Sequence, residues 1–495
     1  MEPIYRRVYE QVRSQILDGR LSPGQRVPAT RALADELGVA RNTVARAYEE
    51  LLAEGYLVGR RGSGTYVAAL GTPPAQEPPV AAAPALSAWA RRAFADAEAA
   101  REPPGGLPYD FRPGTPDWDA FPRTVWWRLL GRRLRQGAQL SRYGDPGGYP
   151  PLREAIARHV AAARAAVCRP EQVVIVNGTQ QAVDLLGRLL VEPGDEVVVE
   201  DPGYADARRA LAAYGARLRP VRVDGEGLRT AELPEAGRAR FVYVTPTHQF
   251  PTGAAMPLER RLALLEWARR SGALVLEDDA YAELRYAGRP VESLQGLDRG
   301  GNVVYLGTFS TVLFPPLRIG YAVLPPGLVA PFTRAKWLAD RGTDLLEQQA
   351  LADFLAEGHF ARHLRRMRRL GRERRDALLD ALRRHLGDRV HAPPTDTGLY
   401  LMARIDGVEE RALVDAALER GVALYPVGPS YVGPAPEGAG LLLGFGALGP
   451  AAVEEGVQRL AEAVAVSSRG TPAPLGSTAA TSTFAPRRPG RAGSR

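Results

Sequence analysis

The sequence predicts a two-part chain: an N-terminal winged helix-turn-helix of α+β type, then a large α/β domain on a mostly parallel sheet. Two patterns and one composition change lead there. Residues 1–68 carry three short apolar helical stripes followed by a glycine-rich hairpin. From residue 170 onward, short β-branched runs (QVVIV, EVVVE, FVYVT, ALVLE, NVVYL) are mostly separated by amphipathic segments such as QQAVDLLGRLLV and PLERRLALLEWARR. That alternation implies a parallel sheet covered on both faces. Between the two, residues 69–108 are rich in Pro and Ala and read as a linker, interrupted by a short helix over Ser87–Ala99. The large domain is expected over 109–466. The tail from Ser467, with five arginines and no acid, is expected to be disordered.

The bulk numbers exclude several classes. With 495 residues and 45% hydrophobic content, the chain has ample material for large cores. No apolar run approaches the ~20 residues that span a bilayer. The start, MEPIYRRVYEQVRSQILDGR, alternates charged and apolar residues and does not read as a signal peptide. Cys168 is the only cysteine, which suits a reducing cytoplasm. Net charge is +8, but Lys336 is the only lysine among 64 basic residues, and Ala, Gly and Pro are abundant. Compositional bias explains that balance better than a nucleic-acid ligand does. The six histidines are scattered, and His359 and His363 have arginine neighbours, so no metal site is expected.

The head builds up in order. Ile4, Val8, Val12 and Ile16 form one helical stripe. Leu33, Ala34 and Leu37 mark a second, short helix that Gly38 closes at a C-cap position. After a tight turn, RNTVARAYEELLAEG opens a third helix. There Val44, Ala47, Tyr48, Leu51 and Leu52 fall at i, i+3, i+4, i+7 and i+8 and face the core. Its exposed start projects Arg41, Asn42, Thr43 and Arg46, and Arg31 lies on the helix before. These are donors suited to phosphates and base edges. Two strands then flank RRGSG, so Arg60, Arg61 and Gly62 form a tip able to approach a phosphate backbone.

The segment VPATRALADELGVARNTVARAYEELLAEGYLVGRRGSGTYV resembles the winged helix of GntR-type regulators, which implies operator DNA as a partner. That family typically has a serine before the recognition helix, whereas this chain has Ala40, a lost cap worth about 1 kcal/mol. Ten arginines against eight acids leave the head only modestly basic. Affinity therefore leans on placement and dimerisation rather than on bulk charge.

In parallel sheets, ligands bind beyond the carboxyl ends of the strands. Each strand run here ends in a polar or aromatic cluster: NGTQQ, DPGY, TPTHQFPTG, DDAY and GTFSTVLFPPLR. Gly178 and Thr179 open a helix whose free N–H groups make an anion site. Together with SRYGDPGGYPPLREAIARHV and HLRRMRR, these phrases resemble the fold-type I aminotransferases that use pyridoxal 5′-phosphate (PLP). Joined to the head, they resemble the MocR subfamily of GntR regulators. The resemblance implies that Gly178, Thr179 and Gln180 cradle the cofactor phosphate, with Ser310 nearby and Arg318 clamping it. It further implies that Asp278 pairs with the ring nitrogen, Tyr281 stands near the ring hydroxyl, and Tyr204 stacks on the ring. His248 would lie beside the ring, and Tyr143 would reach the neighbouring subunit's phosphate in a head-to-tail homodimer.

Two positions depart from that pattern. Where the family carries the lysine that forms the Schiff base with the cofactor, this chain has Thr311. Lys336 lies on a separate helical segment and is not expected in the site. Where aminotransferases often place an arginine for the substrate carboxylate, Leu441, Leu442 and Leu443 stand. The resulting expectation is a cytoplasmic, DNA-binding transcriptional regulator without transaminase turnover. Its large domain would dimerise and sense a small-molecule effector, namely PLP, pyridoxamine phosphate or a PLP–amino acid adduct held non-covalently. Two alternatives stay open: a working PLP-dependent aminotransferase with an accessory head, and a regulator whose large domain serves only dimerisation.

Overall fold

The structure, a computed structural model, describes residues 3–68, 84–95, 103–288, 291–433, 435–436 and 439–468. Its contacts divide into two compact units, Met1–Ala85 and Leu86–Arg495. From residue 469 the tail lies outside the described residues, as do 69–83 and 96–102 of the Pro/Ala-rich stretch. No helix among the described residues is long and apolar enough to cross a membrane.

The first unit contains α1 (Ile4–Leu17), α2 (Thr30–Leu37), α3 (Arg41–Ala53) and the antiparallel hairpin of β1 (Leu57–Arg60) and β2 (Gly64–Val67). Gly38 takes φ +63 and ends α2, its N–H bonding to the Ala34 carbonyl. Ala40 precedes α3 and, as the sequence suggests, supplies no side-chain cap. One core joins Val8, Val12, Ile16, Leu33, Val44, Ala47, Tyr48, Leu51, Leu57 and Val67. Two stripe residues fall outside it. Ile4 is 57% exposed in the first turn of α1, and Leu52 is 38% exposed, one residue and so ~100° around the helix from fully buried Leu51.

The second unit begins with α4 (Ala88–Ala93), capped by the Ser87 hydroxyl at 3.1 Å from the Ala90 N–H. The helix stops at Phe94, short of the expected Ala99, of which 96–99 lie outside the described residues. Arg92 bonds the Ala213 carbonyl at 2.9 Å and Trp89 meets the Tyr214 ring, so this segment is docked on its own unit. Then follow β3 (Tyr109–Asp110), α5 (Arg123–Arg135), α6 (Pro150–Arg164), β4 (Val173–Val176), α7 (Thr179–Leu190), β5 (Glu196–Asp201) and α8 (Ala205–Ala213). The chain continues through β6 (Arg217–Asp224), β7 (Gly227–Leu228), β8 (Ala239–Val244), α9 (Leu258–Ser271), β9 (Leu274–Asp278), α10 (Leu294–Leu297), β10 (Val303–Thr308) and β11 (Gly320–Val323). Three helices, α11 (Pro326–Asp340), α12 (Leu345–Ala356) and α13 (His359–Leu386), lead to a C-terminal layer. That layer holds β12 (Val390–His391), β13 (Tyr400–Ile405), α14 (Glu410–Leu418), β14 (Val422–Ala423), β15 (Tyr425–Pro426), β16 (Ala439–Gly444) and α15 (Pro450–Ser467).

The main sheet runs β4-β11-β10-β9-β8-β5-β6-β7. From β10 through β6 every pairing is parallel; β11 is antiparallel to both its neighbours, and short β7 is antiparallel to β6. Strand alternation divides the side chains between two faces. Val174, Val176, Val197, Val199, Leu276 and Leu306 pack under α7, α8 and α11. Val198, Val242, Val244, Val275 and Val303 pack under α9 and α10. The smaller sheet, β12-β13-β16-β15, sorts likewise: Leu401, Ala403, Ile405, Leu441 and Leu443 face α13, α14 and α15. Its other face presents Tyr400 and Leu442 with Val427, against Phe250 and Tyr281 of the main sheet's loops. The segment expected to hold a carboxylate-binding arginine is therefore strand β16, with Leu442 in an apolar cluster.

Candidate functional site

The five loops after β4, β5, β8, β9 and β10 meet around one cavity of about 210 Å³. It is lined by Gly178, Thr179, Gln180, Tyr204, His248, Asp278, Tyr281, Ser310, Thr311 and Arg318, all singled out in the sequence. At one end Gly178 takes φ +85 and starts α7, leaving the first N–H groups of that helix aimed outward. A side chain there is impossible without displacement, because an added Cβ would sit 2.8 Å from the Arg318 guanidinium. Arg318 follows a single turn at Pro315–Leu317, adopts φ +51 and donates to the Asn177 carbonyl at 2.7 Å. A non-glycine residue at positive φ is strained, and here the strain aims a cation at a helix N-terminus.

Behind this turn, Lys336 is fully buried, and its ammonium donates to Asp340 at 2.6 Å and to Gln181 at 3.0 Å. Asn177 and Gln181 donate to the same Asp340 oxygen at 2.8 and 2.7 Å. Burial lowers the Lys336 pKa while Asp340 opposes the shift. The single lysine braces the turn from behind and is not among the cavity-lining residues.

At the opposite end, Asp278 closes β9. One of its oxygens accepts from the Tyr243 hydroxyl at 2.7 Å; the other is buried and has no partner among the described residues. Burial raises its pKa to about 6, with the Tyr243 bond opposing. The Ser310 hydroxyl and the Gln180 carbonyl oxygen are likewise buried without partners. Thr311 donates to the Ala280 carbonyl at 2.7 Å, tying the loop after β10 to the loop after β9. Tyr204 meets Phe250 edge-on at 5.4 Å.

His248 is buried between Tyr281, at 5.2 Å, and Tyr400, at 4.8 Å. Gly253 and Gly398, both at positive φ, crowd it so closely that a Cβ on either would press on the ring. Burial lowers its pKa to about 3, so the ring is neutral. One candidate stands apart. Tyr143 is 78% exposed, packs its ring on Trp337 and does not line the cavity.

Tyr243, Thr245, Phe250 and Thr308 also line the cavity and escaped the sequence reading. Tyr243 had a signal: it is a phenol inside an otherwise apolar buried strand, and a buried hydroxyl needs a partner. Glu200, buried at the end of β5, accepts from the Thr245 hydroxyl at 2.6 Å and from Gln249 at 3.2 Å. Burial lifts it to about 7 against those bonds.

In the first unit, Arg41, Asn42 and Arg46 are exposed and Thr43 half-buried on the opening turns of α3, and Arg31 is on α2. Arg46 lies over the Tyr5 ring at 4.0 Å and Arg60 over Tyr66 at 4.7 Å, while Arg61 and Gly62 form the exposed hairpin tip.

A winged helix joined to an aminotransferase-like sheet with a cavity at its strand ends defines a regulator built on an enzyme scaffold. Residues 117–464 match the family described as aminotransferase class I and II, and residues 4–67 match the bacterial regulatory proteins of the gntR family. The chain is 42% identical over 468 residues to the probable rhizopine catabolism regulatory protein MocR of Rhizobium meliloti, covering 93% of this chain and 94% of that one. It is 35% identical to the HTH-type transcriptional regulator TauR of Rhodobacter capsulatus, covering 92% and 96%. Among solved structures it resembles LysN, the α-aminoadipate aminotransferase of Thermus thermophilus complexed with N-(5′-phosphopyridoxyl)-L-leucine. That match has a TM-score of 0.68 and 34% identity, covering 73% of this chain and 93% of that one. The chain belongs to the MocR-type transcriptional regulators of the GntR family.

Proposed function

We propose that this regulator binds operator DNA through residues 1–68 and holds a vitamin B6 phosphate non-covalently in its large domain, over 109–466, without turning over amino acids. The observation that carries the reading is the donor set of the 210 Å³ cavity. One end offers the start of α7, the Ser310 hydroxyl and Arg318, an array suited to a phosphate. The other offers the unpartnered Asp278 oxygen, suited to a protonated ring nitrogen. Tyr204 supplies an aromatic face. These groups fit the cofactor's two ends, and the glycine at 178 leaves the room that the phosphate clamp requires.

Bound, pyridoxal phosphate would supply a reactive aldehyde and an electron-withdrawing ring. None of the described residues lining the cavity supplies an amine to meet it. Thr311 lends only a hydroxyl, already donated to the Ala280 carbonyl. With no amine to hold the cofactor or carry a proton, the chain's residues bind and orient rather than transform. In this reading Tyr143 stays exposed because it serves a second copy in a head-to-tail dimer. Arg41, Asn42, Thr43 and Arg46 read the major groove, with Arg31 and the Arg60–Gly62 tip on the backbone. Occupancy would bias the arrangement of the two heads and so the half-site spacing.

The test is a titration of the full chain with pyridoxal phosphate and pyridoxamine phosphate. Melting temperature and operator affinity are read, followed by borohydride treatment and mass spectrometry. Saturable stabilisation with no covalently retained cofactor is expected. A cofactor fixed to the wild-type chain would overturn the non-covalent reading. If neither vitamer shifts either quantity, the large domain serves dimerisation alone.

A further inference from the structure

A second cavity, of about 520 Å³, shares the His248 wall with the first. Thr395 and Gly253 line it; the Thr395 hydroxyl lies 3.4 Å from the His248 Nδ1, and a Cβ on Gly253 would come to 3.2 Å from the ring. Its sides are the end of β6 and the turn after it, the 252–255 loop, and the stretch from β12 to β13.

The charges around it do not balance. Asp224 is taken by Arg260 at 2.7 Å, and Asp396 by Arg375 at 3.2 Å. His391 and Arg404 both engage Asp406, at 2.6 and 3.5 Å. That leaves Arg285, whose Nε is buried and has no hydrogen-bond partner among the described residues. A buried Nε–H left without an acceptor is costly, and a guanidinium's fork of donors matches an oxyanion. The threonine hydroxyls and Met402 offer the mixed lining that a small metabolite needs.

We propose that this cavity is an effector site for a small metabolite bearing a carboxylate or phosphate, held by the Arg285 guanidinium. It rests on different residues from the vitamer reading and stands without it. Arg285 pairs with Thr397 in an antiparallel bridge, flanked by Tyr286 N–H to the Asp396 carbonyl at 2.7 Å and Gly398 N–H to the Leu284 carbonyl at 3.0 Å. That bridge runs from Tyr281, four residues before Arg285, to Gly398 against His248. An anion on Arg285 therefore acts on the segment that shapes the first cavity.

The experiment uses the full chain, with sodium succinate and inorganic phosphate as probes and ionic strength held constant with chloride. Melting is followed for wild type, Arg285→Gln, Ala255→Trp and Arg318→Gln. Ala255→Trp fills the cavity from its exposed rim and leaves the guanidinium in place. Saturable stabilisation is expected of wild type by succinate, or of the Arg318→Gln variant by phosphate. Arg285→Gln and Ala255→Trp should each weaken the apparent succinate affinity roughly 10-fold or more, while Arg318→Gln retains it; phosphate can also bind at Arg318 and is therefore scored only in the Arg318→Gln background. Selectivity for succinate or phosphate assigns the group. The proposal fails if succinate does not stabilise wild type and phosphate does not stabilise Arg318→Gln. It fails too if both cavity variants behave as wild type, or if Arg318→Gln alone abolishes the shift, which would place the anion in the first cavity.

Discussion

Replacing His248 by Asn tests whether the wall between the two cavities is as dry as its packing implies. The ring has one weak polar contact, at Nδ1 with Thr395, and its Nε2 has no partner among the described residues. Asn keeps a polar atom near the Nδ1 position and does not titrate. Burial lowers the histidine from 6.5 to about 3. Between those values the unfolded chain takes up a proton that the folded chain refuses. Stability is therefore complete above about 6.5 and declines as pH falls toward 3. From pH 7 to pH 5 this single residue should cost about 2 kcal/mol. Tryptophan fluorescence during urea unfolding reads the relevant unit selectively, because all six tryptophans lie between Trp89 and Trp337. Whatever packing deficit the Asn variant shows at pH 7 should shrink by about 2 kcal/mol at pH 5 relative to wild type. Other buried groups, including His363 and Asp278, are common to both proteins and cancel. An equal deficit at both pH values would mean that the folded state accepts the proton, and the dry-wall argument would be wrong.

Three further outcomes are expected from the same geometry. Arg318→Gln removes the charged end of the proposed phosphate site and should weaken pyridoxamine phosphate binding roughly 10–100-fold by fluorescence titration, with operator affinity in the absence of vitamer unchanged. Thr311→Lys introduces an amine into the cavity where the Thr311 hydroxyl now bonds the Ala280 carbonyl. Borohydride treatment with pyridoxal phosphate should then fix one cofactor per chain by mass spectrometry, against none in wild type. Leu51→Ala empties a fully buried position in the head and should cost about 3 kcal/mol there. Operator binding should be lost while the tryptophan-reported unfolding of the large unit stays put.

Much of the site was legible because parallel strands deliver their C-terminal loops to one edge. QVVIV, EVVVE, FVYVT, ALVLE and NVVYL read as strands, so the residues after them group together from the sequence alone. Roles that depend on partners far apart in the chain were not legible. Tyr243 looked like one more core residue until its hydroxyl was seen on Asp278. Lys336 looked incidental, and only packing shows it bracing the turn through Asp340. The exposure of Leu52 depends on which degree of the helix circumference meets a neighbour, which a stripe pattern resolves poorly.

The sequence by itself determined the two-part architecture, the recognition helix and its wing, the glycine turn that opens α7 at Gly178 and the threonine at 311. Those features rest on local periodicity, turn chemistry and residue identity, all of which are written in neighbouring positions. Only the tertiary structure decided which buried polar atoms are satisfied and which are left over. Asp278, Ser310 and Arg285 each have the same chemistry in any chain. Whether an acceptor or donor stands opposite depends on segments far apart in the chain closing on one another.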